Sequence, residues 1–393
     1  MKKLKLILLA LVFITVTPVY AEELNIKSNN AVLYNWNDNI IVYEKNKDQR
    51  VSIASLTKLM TALVSIEKIE DLNQKVTFVK SDYDKLKEQD ASGSTLKRNK
   101  AYTYRDLLYG LVLESGADCA NALARLTYGN EKDFVAQMNE KAQELGMTNS
   151  KFANPIGLDN KNNYSTVNDI ALLLKEDLRN EELNVIINSM KYKLSDGTVI
   201  HHTMEGYMHA FKINIPGIKG GKTGYETKAG YALASSATRN NTTLLLVTSR
   251  AKNRPDHIKD AKTLYDYFFN NYSYKTIIDK DEVLVSLDAK NLNRERILIK
   301  ADEDIKYYLK NDYNKNDITT KYEGIETISL NNRKGQKIGN LKIMYKNDLI
   351  MNYPIILEDS IFPSNLVIGL SSGIVFLIVL LFIVIKYRKR TIS

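Results

Sequence analysis

The chain has 393 residues, 26% of them charged and 44% hydrophobic, and carries a single cysteine. Such a length leaves room for more than one domain, and one cysteine excludes an internal disulfide framework. The formal charge of +9 suits an anionic cell envelope, but no Arg/Lys run interleaved with aromatics points to nucleic acid.

Met1-Lys2-Lys3, the apolar run Leu4 to Val16 and the small residues of Val19-Tyr20-Ala21 predict a secretory signal over 1–21, cut after Ala21. Ala31–Tyr34 and Ile40–Glu44 flank a polar turn and predict a hairpin. From Ser55 to about Ile69, the apolar stripe of Leu56, Leu59, Met60, Leu63 and Ile66 predicts a helix. Further helices are predicted over Tyr104–Glu114 and Ala117–Thr127, broken at Ser115-Gly116, then over Glu131–Leu145 and Thr166–Leu178. A turn-rich loop covers Phe152 to Asp159. Tyr231–Thr238 and Thr242–Arg250 read as a second hairpin, and Ile258–Tyr272 as a final amphipathic helix. This order predicts an α+β domain over 22–273, an antiparallel sheet with a helical cluster on one side.

Past Tyr272 the pattern turns to short alternating runs: Val283–Leu287, Ile297–Ile299, Ile325–Leu330 and Leu341–Tyr345. They predict a small all-β domain over 274–360. Leu366 to Ile385 is free of charge and long enough for a transmembrane helix, placed at 365–385. The basic cluster Lys386 to Arg390 then predicts a cytoplasmic tail over 386–393, with the preceding domains on the extracytoplasmic face of the cell membrane.

Three short motifs carry chemistry. Ser55-Leu56-Thr57-Lys58 puts a hydroxyl and an amine three residues apart, on one helical face. A serine hydroxyl becomes a useful nucleophile when an adjacent base takes its proton. Ser115-Gly116-Ala117 sits in the break between two helices, and Lys222-Thr223-Gly224 just before the strand Tyr231–Thr238. Ser115, Lys222 and Thr223 are the right types to pass a proton and hold a carboxylate. Gly224 leaves room for substrate along a strand edge.

In this order, with Phe152-x-Asn154-Pro155-x-Gly157-Leu158-Asp159 between the second and third, the motifs resemble the serine D-Ala-D-Ala carboxypeptidases. These are low-molecular-mass penicillin-binding proteins of the S11 peptidase kind. The similarity covers about Leu24 to Tyr272. It implies a β-lactamase/transpeptidase-like catalytic domain that works by acylation and hydrolysis, without metal or other cofactor. The implied partners are peptidoglycan stem peptides ending in D-Ala-D-Ala, β-lactam antibiotics and, through the C-terminal helix, the membrane.

Carried over by motif, Ser55 is the nucleophile and Lys58 its base, with a pKa lowered by burial and by Lys222. Ser115 and Lys222 assist proton transfer and bind the terminal carboxylate with Thr223. Backbone N–H groups of Ser55 and Tyr225 form the oxyanion hole. Two departures stand out. The middle motif ends in Ala117 where the family has Asn, and Asn121, one turn on, is the weaker candidate to replace it. The family's arginine after the second hairpin strand falls on His257 by ungapped counting, with Arg254 close enough to bind the carboxylate instead.

Other readings fit less of the chain. A phosphate loop ending in Gly221-Lys222-Thr223 would need Gly at Pro216. His201, His202, Glu205 and His209 cluster without a His-Glu-x-x-His pattern and read as solvated. A β-lactamase-like hydrolase would need an acidic residue four before Asn184, where Asn180 stands. A catalytically impaired penicillin-binding envelope protein rests on Ala117 alone.

Overall fold

The computed structural model describes residues 24–84, 86–290, 292, 295–358 and 375–381. The expected signal over 1–21 and the tail over 386–393 lie outside them. Of the expected span over 365–385, only 375–381 is described, as a helical stretch. No helix among the described residues is long and apolar enough to cross a membrane, so they do not support a spanning helix. The chain divides into two compact units, with the boundary between Asn270 and Asn271.

Among the described residues, the first unit is built on a five-stranded antiparallel sheet. Its strands are β1 (Asn30–Asn35), β2 (Ile40–Lys45), β3 (Ile218–Glu226), β4 (Gly230–Arg239) and β5 (Thr242–Ala251), in the order β2-β1-β5-β4-β3. β3 is therefore an edge strand. It is also an addition to the predicted elements. Three glycines in Ile218–Glu226 break the alternation by which a strand is read, so Lys222-Thr223-Gly224 lies within a strand rather than ahead of one.

Beside a single turn at Lys80–Tyr83, the helices among the described residues of this unit are α1 (Thr57–Ile66), α2 (Tyr104–Leu113), α3 (Ala117–Tyr128), α4 (Glu131–Glu144), α5 (Val167–Arg179), α6 (Glu181–Ile187), α7 (Thr203–Ala210) and α8 (Asp256–Asn271). Their starts follow local chemistry. Thr103, Asn130 and Thr166 each accept the backbone N–H three residues on, capping α2, α4 and α5. All ten residues of α1 are buried. Its apolar residues Leu59, Met60, Ala62, Leu63, Val64 and Ile66 place it inside, where α1 packs against α2, α3, α4 and α5. Each fully buried Leu, such as Leu59, contributes about 1.5–3 kcal/mol. Of its buried hydroxyls, Thr61 Oγ1 donates to Pro155 C=O at 2.6 Å, whereas Thr57 Oγ1 and Ser65 Oγ have no hydrogen-bond partner among the described residues.

The second unit is all-β. Tyr272–Ile278 pairs with Ile305–Lys310, and Val283–Ala289 pairs with Arg296–Lys300 and with Thr327–Ile328. Ile318–Gly324, Lys337–Tyr345 and Asp348–Ile356 form a three-stranded antiparallel sheet. The expected strand Ile325–Leu330 shrinks to Thr327–Ile328, because Ile325 and Leu330 are exposed rather than packed.

Candidate active site

Ser55 lies in a tight turn, Ala54–Leu56, immediately before α1. Ala54 takes a left-handed φ of 47°, a strained conformation for a residue with a Cβ. The turn is held from outside. Asn154 Oδ1 accepts the N–H groups of Gly157 and Leu158 at 2.7 and 3.1 Å, folding the Phe152–Asp159 loop back on itself. Gly157, at φ 87°, then lies so close that a Cβ there would sit 2.1 Å from Ala54 O. Ser52 Oγ donates to Asp159 Oδ1 at 2.6 Å, tying the approach to the turn to the same loop.

Lys58 is the second residue of α1, three residues on from Ser55. Its Nζ donates to Ser55 Oγ at 3.1 Å and to Ile156 C=O at 2.6 Å. Burial lowers its pKa to about 8, while Glu226 and Asp118 pull in the other direction. Lys222 is fully buried, and its Nζ donates to Thr223 C=O at 2.7 Å. Burial, then the charge of Lys58, holds Lys222 well below the ordinary lysine range. Burial is the first cause at both amines, and the repulsion between their charges acts on each of them.

Ser115 is buried, in the break between α2 and α3, at φ 62°. Its turn is fixed by Gly116 N–H to Gly110 C=O at 3.0 Å and Ala117 N–H to Ser92 C=O at 2.8 Å. Asp118 fastens the same turn, accepting Ser94 N–H at 3.0 Å and Ser94 O–H at 2.8 Å. Asn121 does not replace the missing Asn in that turn: its amide donates to Asp82 C=O at 3.1 Å. Asn121 lines a polar cleft of about 640 Å³ that also borders Asn154, Ile156 and Asp159.

β3 supplies the opposite wall. Within a strand, one residue's N–H and C=O point to the same side, and the side alternates. Gly221 C=O leaves the sheet for His202 Nε2 at 2.7 Å, and Thr223 C=O for Lys222 Nζ. Tyr225, two residues on, therefore presents its N–H on the same free edge. A Cβ at Gly224 would lie 3.2 Å from Ser55 N, so the bare glycine lets that edge approach the nucleophile's own N–H. A hydroxyl beside a buried amine, facing two backbone donors, can attack a carbonyl and hold the resulting oxyanion.

Arg254 reaches α7, where its guanidinium stands over the Tyr207 ring at 4.9 Å and donates to Tyr207 Oη at 3.4 Å. His257 is fully buried between Tyr231 and Tyr207 and cannot stand in for a solvent-facing arginine. Two of the histidines read as solvated need separating. His201 is exposed and faces Glu205 at 2.8 Å, whereas His202 is buried against β3. The loop carbonyl of Ile156 and the roles of His202 and Glu226 were not predicted. A backbone carbonyl leaves no mark in residue type, and the histidine's burial depends on α7, which was not among the predicted elements.

An antiparallel sheet with a helical cluster, housing a Ser-x-x-Lys pair against a Lys-Thr-Gly edge strand, defines a serine-type hydrolase with the penicillin-binding protein fold. Residues 17–253 match the D-alanyl-D-alanine carboxypeptidase family of S11 peptidases, and residues 272–361 match the penicillin-binding protein 5 C-terminal domain. The chain belongs to that carboxypeptidase family and is a serine-type hydrolase of its kind. It is 28% identical over 337 residues to the D-alanyl-D-alanine carboxypeptidase DacF of Bacillus subtilis, covering 85% of each chain. Its fold is similar to penicillin binding protein 5 from Haemophilus influenzae, with a TM-score of 0.70 and 25% identity over 87% of this chain and all of that one. The Streptomyces K15 DD-transpeptidase matches at a TM-score of 0.57 and 28% identity, over 63% of this chain and 99% of its own.

Proposed function

We propose that the chain removes the terminal D-alanine from peptidoglycan stem peptides ending in D-Ala-D-Ala, through an acyl-enzyme on Ser55. The observation that carries this is the 3.1 Å contact between Ser55 Oγ and a buried Lys58 amine. Lys58 accepts the Ser55 proton as Oγ attacks the penultimate D-Ala carbonyl carbon. The N–H groups of Ser55 and Tyr225 hold the oxyanion. Ser115, with Lys222, relays that proton from Lys58 to the leaving amine, the C–N bond breaks and D-alanine departs, leaving Lys58 neutral. Water then attacks the ester as Lys58 takes its proton, and Lys58 returns a proton to Ser55 Oγ as the ester C–O bond breaks and the shortened peptide leaves. Lys222 and Thr223 hold the terminal carboxylate, with Arg254 on its α7 side. β-Lactams acylate the same serine.

The apolar run Leu366 to Ile385 and the basic residues after it support a membrane tether at 365–385, with catalysis on the extracytoplasmic face. The all-β unit is read as a spacer toward the polymeric substrate.

Labelled penicillin should modify the full-length protein and leave Ser55→Ala unlabelled. Lys58→Ala should slow acylation by about 10²–10⁴. Labelling that persists in Ser55→Ala overturns the nucleophile. A pentapeptide substrate should yield free D-alanine. Predominant cross-linked product with an added amine acceptor would make the enzyme a transpeptidase instead.

A further inference from the structure

His202 caps α7, a position usually held by Ser, Thr, Asp or Asn. Its Nδ1 accepts Met204 N–H at 2.9 Å. A ring nitrogen that accepts carries no proton, so the proton belongs on Nε2. That nitrogen lies 2.7 Å from Gly221 C=O, which can only accept. Both contacts are therefore satisfied in one form, the neutral Nε2–H tautomer. The ring is 1% exposed, and burial agrees with the neutral form by lowering its pKa to about 4. The charged groups around it are Lys222, which opposes protonation, and Glu205, which favours it.

The next residue makes a second tie. Thr203 Oγ1 lies 2.6 Å from Thr223 Oγ1. The two contacts thus grip β3 at 221 and 223, on either side of Lys222. This part of the strand is a sheet edge, hydrogen-bonded on one side only, to β4, with irregular pairing between Ile218 and Gly220. The end of α6 closes on Gly220, where a Cβ would lie 2.1 Å from Ile187 O, but that contact stops short of the outward carbonyl of Gly221. The outward carbonyl of Gly221 has no neighbouring strand, and the imidazole takes the place of one.

We propose that His202 is a positioning residue. With Thr203, it clamps the free edge of β3 to α7 and so sets Lys222 and Thr223 for recognition of the substrate's terminal carboxylate. This rests on the reading of Lys222 and Thr223 as the carboxylate-binding pair.

The test compares full-length wild type, His202→Ala, His202→Asn and Thr203→Val on two substrates: a peptide ending in free D-Ala-D-Ala and the same peptide with a C-terminal amide. Wild type should prefer the free carboxylate. His202→Ala should lose efficiency on the free acid by about tenfold to a hundredfold, mostly in KM, and lose most of its preference over the amide. His202→Asn, which can still cap α7 and donate toward Gly221, should recover the preference. Thr203→Val keeps the ring and its cap, and should lose preference even if His202→Ala fails to fold. An unchanged preference in Thr203→Val, or in a folded His202→Ala with only a lower Tm, overturns the proposal. Wild type that shows no preference between acid and amide would instead refute the reading of Lys222 and Thr223, a separate outcome.

Discussion

With Lys58 as the proposed base, the surroundings of one residue set the pH at which acylation runs. Its amine must be neutral to accept a proton, and the neutral fraction grows as pH rises through its lowered pKa of about 8. The acylation rate should therefore climb between about pH 7 and 9 and then level off. Glu226, on the same strand as Lys222, is the largest charge effect favouring protonated Lys58. Glu226→Gln should move the rising limb to lower pH and speed acylation severalfold below pH 8. A limb that stays in place would remove Glu226 from this role. Two buried histidines act on stability in the opposite pH range. His202 and His257 are both lowered from 6.5 to about 4. Above pH 6.5 they are neutral folded or unfolded and change nothing. Between pH 6.5 and 4 the unfolded chain takes up protons that the folded chain refuses, so stability falls by on the order of 3 kcal/mol for each. Denaturant midpoints across that window should show the loss, and His257→Phe, which cannot titrate, should flatten part of it.

Among the elements, the Phe152–Asp159 loop and α1 behave as one device. Gly157 combines a positive φ with backbone contact to Ala54, so Gly157→Ala should both strain the loop and push the nucleophile's turn. We expect a loss of at least about 2 kcal/mol in stability and a larger proportional loss in acylation than in penicillin affinity. Stopped-flow acylation separates the two. α5 carries the opposite kind of flaw. Asp177 is fully buried, neither carboxylate oxygen has a partner among the described residues, and burial pushes its pKa well above the ordinary value. A group raised in this way stabilises fully below the unfolded pKa and loses that contribution as pH rises through the folded one. Asp177→Ala removes the stranded carboxyl and improves helix propensity. It should raise stability at pH 7 by about 1–2 kcal/mol, with activity unchanged, and a lower Tm would contradict this account.

For the whole molecule, the prediction concerns the division of labour along the chain. The proposed catalytic residues lie before Asn270, inside one compact unit with its own core. A chain ending at about Pro363 should bind penicillin and cleave a small peptide at rates within about threefold of full length, and should leave the membrane fraction on cell breakage. An inactive truncated form would make the C-terminal segment part of the catalytic fold. A truncated form that stays with membranes would place a second anchor elsewhere.

Much of this protein was legible before folding was considered. Ser55 and Lys58 are three residues apart, and helix geometry alone brings such a pair together. The capped helices and the apolar strands β1, β4 and β5 follow from periodicities that act over a few residues. The rest depended on contacts between distant parts of the chain. β3 is a strand because β4 pairs with it, despite its glycines. Lys58 has a lowered pKa because α1 is buried, and it points at Ile156 because a loop almost a hundred residues later folds over it. His202, read as one of several solvated side chains, became a buried clamp through the carbonyl of Gly221. Backbone groups and burial carry no signature in residue type, so tertiary packing alone decided how these side chains are used.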